Sequence, residues 1–378
     1  MILTKPHIHS LTGLRFFAAL PIFYLHATNH DLFSSPILGL FDLSKSVSFF
    51  FVLSGFVLGY VYKDIRLNYL SFFTLRLARV WPLTFLSILV ILKFFPTYVF
   101  LPGLVPGGPD GFHVFLINIF CIQSFFPIPS YYFGFNAVAW SVSTELFFYS
   151  LFPFLCNCRF SSLIRVLCFS VSASFLLALI AYFLGLPSYD ISTIHLPVWQ
   201  GLVYINPLSR LPEFLLGLIT SRLFMTSSFY NYTLLFDLRK SYFSVFLFFE
   251  LFILLILLFC GYFPISLFNA QPLQAFVSQI KSAICFSFVI LIASNPRGLV
   301  GPILGCSPLQ YLGKISFSFY LIHQPLLIQS AQLGGLHFFN MQLLPQNLYL
   351  LLLISIFFSS IAYFFVEMPI QKLIKSLS

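Results

Sequence analysis

The sequence contains very few charged residues and no recognisable cysteine framework. Only 8% of its 378 residues are Asp, Glu, Lys or Arg, whereas 59% are hydrophobic and 20% are aromatic. A soluble domain cannot bury so much apolar surface, and several apolar runs are long enough to cross a bilayer. The seven cysteines have no spacing typical of a disulfide framework. We therefore expect an all-α, polytopic integral membrane protein with no soluble domain.

Several functional motifs are missing as well. The sequence has no P-loop, no GxGxxG and no G-x-S-x-G, which argues against ATP hydrolysis, dinucleotide binding and elbow-serine hydrolysis. His26 and His30 have metal-ligand spacing, but no third ligand is evident, so we predict no metal site. The net charge is +9, yet the basic residues are scattered singly and do not indicate nucleic-acid binding.

Apolar runs predict ten transmembrane helices. Their approximate bounds are 11–28, 47–63, 80–99, 140–157, 163–185, 208–224, 242–262, 276–294, 314–334 and 347–366. The run at 111–126 is short and follows a Gly- and Pro-rich stretch, so we expect it to be re-entrant or to lie on the surface. If the run at 111–126 does not cross the membrane, almost every Lys and Arg lies on one side of it, as the positive-inside rule requires. This predicts one domain over 1–378 with both termini cytoplasmic.

The first predicted span carries two ionisable residues. Arg15 and His26 are eleven residues apart. In an α-helix this spacing places both side chains on nearly the same face, about 16 Å apart along the axis. A charge at mid-bilayer costs about 2.5–3.5 kcal/mol, so such residues are candidates for function. A snorkelling arginine and an interfacial histidine would fit the spacing equally well.

Two further spans carry acidic residues. Glu145 follows Ser141 by one residue too many for a capping box, so a purely capping role is disfavoured. We place it in the outer half of its helix. Arg210 and Glu213 share a face at the outer mouth of another span. They are candidates to bind substrate, or they simply pair with each other.

Two patterns of polar residues indicate binding. Arg76 and Arg79 share a face where the third span begins, and such a pair suits phosphate groups, although two topology anchors would look the same. Ser316, Tyr320 and His323 form an i, i+4, i+7 stripe. We expect this stripe to line a pore or a cleft and to contact substrate.

Taken together, these segments resemble the integral-membrane acyltransferase-3 family, whose members O-acylate cell-surface sugars and some small molecules. The similarity is carried, in order along nearly the whole chain, by "LTGLRFFAALPIFYLH", "SFFFVLSGFVLGY", "RLARVWPL", "NAVAWSVSTELFFY", "NPLSRLPEFLLG", "YLGKISFSFYLIHQPLL" and "YFFVEMPI". This chain has Ser46 and Ser48 where many members have Gly and Asp, so no acidic role is assigned there. Many members add a hydrolase-like domain at the C-terminus. We expect no such second transfer step on this polypeptide.

The resemblance implies a membrane-bound O-acyltransferase, expected in a bacterial inner membrane. It would move an acyl group, expected to be acetyl, from acyl-CoA to a hydroxyl of a cell-surface carbohydrate such as an O-antigen, a capsule, an exopolysaccharide or a lipid-linked glycan. Acyl-CoA would be a co-substrate rather than a tightly bound cofactor. Arg15 and His26 match the family's essential pair, Arg76 and Arg79 match its R-x-x-R, and Glu145 matches its W-S-x-S-x-E glutamate.

These matches suggest roles for the first helix. His26 would be the general base or a covalent acyl carrier, and Glu145, at a similar depth, would fix its tautomer. Arg15 would contact CoA phosphates or polarise the thioester. Two other functions stay open. One is a transporter or flippase, although no inverted repeat is visible, and the other is acylation of a small molecule such as a macrolide.

Overall fold

The protein is a bundle of α-helices. The computed structural model describes residues 6–63, 65, 67–94, 111–226, 243–295, 298–333, 335–338, 341–345 and 347–377. The helices are α1 (His9–Asn29), α2 (Ser46–Tyr62), α3 (Tyr69–Phe94), α4 (Gly111–Ile119), α5 (Pro129–Tyr132), α6 (Trp140–Leu155), α7 (Phe160–Phe183), α8 (Pro207–Thr226), α9 (Phe243–Tyr262), α10 (Gln271–Ser294), α11 (Val300–Leu304), α12 (Ser307–Lys314), α13 (Ser316–Leu333), α14 (Leu348–Ala362) and α15 (Met368–Leu377). One antiparallel hairpin, β1 (Gly335–Phe338) and β2 (Met341–Pro345), follows α13. The predicted helical class is confirmed.

Seven helical segments in the described ranges are long and apolar enough to cross a membrane. They are Leu43–Tyr62, Tyr69–Lys93, Ala137–Leu155, Phe160–Phe183, Gly201–Met225, Gln271–Ser294 and Leu348–Ile374. The predicted count of ten is therefore not confirmed. Helices α1 and α13, of 21 and 18 residues, are not among the seven, and both carry the polar side chains described below. Parts of three predicted spans, residues 95–99, 242 and 334, lie outside the described residues.

The segment at 111–126 folds into the protein. Helix α4 has only nine residues, and the chain then turns at Cys121, which has a φ of 52°. Gln123 and Ser124 are wholly buried, and the Gln123 amide donates to a backbone carbonyl at 3.1 Å. A non-helical backbone inside a membrane protein needs such internal partners. These features favour the re-entrant alternative. Helix α6 begins at Trp140, which is itself buried.

Helices α2 and α8 approach each other closely enough to exclude side chains from their crossing. A Cβ added to Gly217 would lie 1.9 Å from the Val52 carbonyl oxygen, and one added to Gly55 would lie 2.0 Å from the Phe214 carbonyl oxygen. Small residues at a crossing are typical of membrane helix pairs. This contact anchors α2, whose other side forms a wall of the site described next.

Aromatic packing places α13 beside α1. The Phe319 ring lies 5.6 Å from the Phe16 ring and 5.8 Å from the Phe23 ring, measured between centroids. Aromatic pairs at such distances add to the stability gained from buried area alone. The contact brings the polar stripe of α13 next to the helix that carries Arg15 and His26.

Candidate active site

A cavity of about 850 Å³, counting its open mouth, lies between α1, α2, α3, α6 and α13. We call it the arginine cavity. Its charged and phenolic lining comprises Arg15, Arg76, Arg79, Glu145, Tyr149, Lys314 and Tyr320. Lys314 is exposed and marks the mouth. The cavity therefore combines four cations with one carboxylate, and apolar side chains of α2 form much of the remaining wall.

Helix α3 presents Arg76 and Arg79 to this cavity. Arg76 Nη2 donates to the Tyr62 hydroxyl at 2.6 Å. The Arg76 guanidinium also lies 5.3 Å from the centroid of the Tyr62 ring and 5.6 Å from that of Phe72, which adds cation–π attraction. Both arginines are half-buried. The predicted shared face exists, and Arg76 is held in a fixed orientation.

Glu145 projects from α6 into the arginine cavity. Ser54 Oγ donates to its Oε1 at 3.2 Å, and the Tyr149 hydroxyl donates to the same oxygen. The carboxylate interacts electrostatically with Arg15 and Arg79. Glu145 thus belongs to the Arg15 end of α1.

The expected position of Glu145 beside His26 is wrong. The sequence-based position assumes that Glu145 and His26 lie at a similar depth in their helices. Ser54 of α2 and Tyr149, one turn further along α6, instead hold the carboxylate in the arginine cavity together with Arg15. The i, i+4 spacing of Glu145 and Tyr149 was the sequence signal that could have identified the tyrosine as its partner.

His26 lies outside the lining of the arginine cavity. Its side chain is half-buried, and its ring centroid is 5.4 Å from that of His323. His323 is wholly buried, its Nδ1 lies 3.0 Å from the Phe319 carbonyl oxygen, and its ring stacks on that of Phe319. The three residues of the predicted stripe on α13 therefore lie in two regions. Ser316 and Tyr320 line the cavity, whereas His323 lies beside His26.

Tyr320 contacts both regions. Its hydroxyl lies 2.8 Å from Ser141 Oγ and donates to the Val138 carbonyl at 3.1 Å. Its ring centroid is 6.0 Å from that of His323. With two polar partners and a buried ring, Tyr320 is held in place where the arginine cavity meets the histidine pair.

Arg210 and Glu213 form a buried ion pair. Arg210 Nε lies 3.1 Å from Glu213 Oε2, and both side chains are fully buried. Arg210 Nη2 also donates to Ser48 Oγ at 3.2 Å, and the guanidinium lies 4.8 Å from the centroid of the Tyr204 ring. Side chains without solvent-exposed surface cannot contact a substrate in this conformation. The prediction of substrate binding is corrected to the alternative, in which the two residues pair with each other.

One further buried acid was not identified from the sequence. Glu367 ends the π-helical turn Tyr363–Glu367 and is 5% exposed. Ser318 Oγ donates to its Oε2 at 2.9 Å, and the carboxylate interacts electrostatically with Arg79. In the sequence, Glu367 is a single acidic residue at the end of the last apolar run, and this position could have identified it as a candidate. Glu367 adds a second negative charge near the cationic cluster.

The fold and the site together define a class of protein. It is a helical membrane protein in which one helix links a cavity lined by cations to a histidine pair. The model of a family described as "Acyltransferase domain" matches residues 8–365. The chain therefore belongs to this acyltransferase-3 family, and the resemblance noted from its motifs is confirmed.

Three relatives indicate what the chain is similar to. Acyltransferase MdmB of Streptomyces mycarofaciens is 37% identical over 155 residues, 38% of each chain. O-acetyltransferase OatA of Staphylococcus aureus is 28% identical over 97% of this chain and 57% of its own. The putative peptidoglycan O-acetyltransferase YrhL of Bacillus subtilis is 22% identical over 97% of this chain and 55% of its own. The chain thus spans little more than half the length of OatA and YrhL. No solved structure matches it.

Proposed function

We propose that this protein is a membrane O-acyltransferase that takes an acetyl group from acetyl-CoA in the arginine cavity and transfers it to a hydroxyl of a cell-surface carbohydrate near His26. The observation that carries the proposal is that α1 places Arg15 among the cations of the cavity and His26 beside His323. The similarity to O-acetyltransferase OatA and to the putative peptidoglycan O-acetyltransferase YrhL supports O-acetyl transfer, and the similarity to YrhL supports a glycan as acceptor.

The arginine cavity has the chemistry of a phosphate-binding site. Arg76 and Arg79 lie on one helix face and Lys314 lies at the mouth. Guanidinium groups bind phosphate through charge-assisted hydrogen bonds, which are stronger than neutral ones. The adjacent wall includes Phe50 and Leu53, which suit the less polar arm and the acyl group of an acyl-CoA. In this proposal the donor enters past Lys314 and its phosphates rest on the α3 arginines.

Glu145 acts on the arginines in this scheme. Its carboxylate accepts hydrogen bonds from Ser54 and Tyr149 and interacts electrostatically with Arg15 and Arg79. An acid placed among half-buried cations offsets part of their mutual repulsion and of their desolvation cost. Glu145 thereby keeps both guanidinium groups directed into the cavity.

His26 supplies the base. A sugar hydroxyl is a poor nucleophile at neutral pH, and an unprotonated imidazole can take its proton as the oxygen bonds to the acyl carbon. The carbon–sulfur bond of the thioester breaks, and the CoA thiolate then receives the proton from the imidazolium. Because Arg15 and His26 lie about 16 Å apart along α1, the thioester extends beyond Tyr320 toward His26. Alternatively, His26 itself carries the acyl group between donor and acceptor.

This scheme places the mouth at Lys314 and both termini in the cytoplasm, with the protein in a bacterial inner membrane. Acyl-CoA is a cytoplasmic metabolite, so the donor has to enter from that side. Reporter fusions after Lys375 and within residues 335–346 should report cytoplasm and exterior, respectively. The reverse pattern would contradict the proposed side of donor binding.

Purified protein in lipid nanodiscs provides the direct test of the activity. We expect labelled acetyl-CoA to be consumed, with CoA released, only when an acceptor such as a peptidoglycan fragment or a bacterial polysaccharide is present. The label should appear in a base-labile ester on the acceptor. Absence of CoA release with every acceptor, combined with movement of an acceptor across proteoliposomes, would replace the proposal with a transporter.

A further inference from the structure

His323 has a buried ring nitrogen without a partner. The Phe319 carbonyl that lies 3.0 Å from His323 Nδ1 can only accept a hydrogen bond, so Nδ1 carries the hydrogen and Nε2 of the neutral ring carries a lone pair. His323 is 0% exposed. Nε2 has no hydrogen-bond partner among the described residues. A buried acceptor left in this state is unfavourable, which calls for an explanation.

Within the described part of the chain, the ring contacts of His323 leave one candidate partner. Phe319 stacks on the ring at 5.7 Å, and Phe23 packs against it at 6.2 Å, but neither side chain can form a hydrogen bond through a polar group. Tyr320 lies at 6.0 Å, and its hydroxyl already has the two partners described above. His26, at 5.4 Å, is the ring neighbour with hydrogen-bonding capacity to spare.

We infer that His323 is a positioning residue for His26, and this inference rests on the proposed function. His323 Nε2 accepts a hydrogen bond from one nitrogen of His26 once the His26 ring turns about χ2, a torsion with a broad distribution for histidine. The bond fixes the tautomer of His26 and leaves its other nitrogen free to take the proton of the acceptor hydroxyl. His323 thus fills the place that the sequence assigned to Glu145, with a neutral acceptor instead of a carboxylate.

Two substitutions of His323 test the roles of its two ring nitrogens separately. In His323→Asn the side-chain amide can still donate to the Phe319 carbonyl, but nothing accepts at the place of Nε2. In His323→Gln the longer side chain brings an amide oxygen close to that place. We expect the Asn variant to lose at least about tenfold in kcat, the lower range for removing a group that orients a catalytic residue. The KM for acyl-CoA should not change, and the Gln variant should recover most of the rate.

A second measurement does not depend on transfer. Diethyl pyrocarbonate acylates neutral imidazoles, so labelling of the folded protein without acyl-CoA, followed by peptide mapping by mass spectrometry, gives the rate of reaction at His26. A hydrogen bond from His26 to His323 makes the free nitrogen of His26 more nucleophilic. His26 should therefore react more slowly in His323→Asn than in the wild type and regain its rate in His323→Gln. His9, which is exposed near the other end of α1, is the internal reference.

The outcomes distinguish this inference from the proposed function. Slower labelling of His26 in the Asn variant with recovery in the Gln variant supports the pairing, even if no acceptor is acylated by the wild type. Unchanged labelling of His26 in both variants overturns the pairing, even if the wild type transfers acetyl groups. Equal loss of kcat in both variants with unchanged labelling also overturns it, because the acceptor atom at position 323 would then be irrelevant.

Discussion

The arginine cavity and the histidine pair lie along the same helix and have opposite character. The cavity presents four cations, includes the carboxylate of Glu145 and opens at Lys314. The histidine pair has stacked and tilted aromatic neighbours, and one of its rings is completely enclosed. Charge and an open mouth suit capture of a polyanion, whereas a half-buried imidazole held against an enclosed partner suits a directed proton transfer. The difference indicates that substrate capture and bond formation are assigned to different parts of the protein.

The largest expected effect is at the histidine pair. His26→Asn keeps a polar side chain of moderate size that cannot take a proton at neutral pH. Transfer should fall at least about 10²-fold, the lower range for loss of a general base. Acyl-CoA binding should persist, because His26 lies outside the cavity lining. Acetyl transfer and equilibrium binding measured on the same preparation test this, with His7→Asn as the control at an exposed histidine.

The same assignment predicts a pH dependence. A protonated imidazole cannot accept the proton of the acceptor hydroxyl, so transfer should decline as the pH falls and His26 becomes charged. Acyl-CoA binding should not follow this decline, because arginine stays protonated throughout. Parallel pH profiles of binding and transfer are the measurement, and two profiles that fall together would place the titrating group in the cavity.

The next effect is at the cavity. Arg79→Ala removes a guanidinium that we assign to a CoA phosphate, and each charge-assisted contact is worth about 1.5–3 kcal/mol. Affinity for acyl-CoA should therefore fall by about one to two powers of ten, as measured by calorimetry or competition. Arg165→Ala is the matched control, because Arg165 is an exposed arginine on α7. Unchanged affinity in Arg79→Ala would leave Arg76 and Arg79 as topology anchors.

A smaller effect is expected at Glu145. Glu145→Gln keeps an oxygen that accepts from Ser54 and Tyr149 but removes the charge that interacts with the arginines. Transfer should fall less than in His26→Asn, and the labelling of His26 by diethyl pyrocarbonate should be unchanged. A change in that labelling would restore the position beside His26 that the sequence predicted for Glu145.

Features that depend on one helix were predictable from the sequence. The shared face of Arg76 and Arg79 follows from helical periodicity, and the family motifs identified the chemistry. Features that depend on how helices meet were not. The position of Glu145 among the arginines is set by the packing of α6 against α2 and α3, and the contact of His26 with His323 is set by the packing of α1 against α13. Neither is encoded in local spacing.

The smallest effect on transfer is expected at the buried ion pair. Glu213→Gln leaves Arg210 without its counter-ion in a fully buried site, and breaking such pairs costs about 3–5 kcal/mol of stability. Thermal unfolding in detergent should show this loss, while transfer per folded molecule stays near the wild-type rate. A specific loss of acceptor affinity in folded Glu213→Gln protein would return Arg210 and Glu213 to the substrate site.

Single-turnover transfer at saturating acyl-CoA tests the division between the two regions most directly. A variant that has lost only donor binding recovers its rate when the donor saturates, whereas a variant that has lost the base does not. The structure predicts that Arg79→Ala approaches the wild-type rate under these conditions and that His26→Asn stays at least about 10²-fold slower. Recovery of His26→Asn, or failure of Arg79→Ala to recover, would contradict the assignment of donor capture to the arginine cavity and of proton transfer to His26.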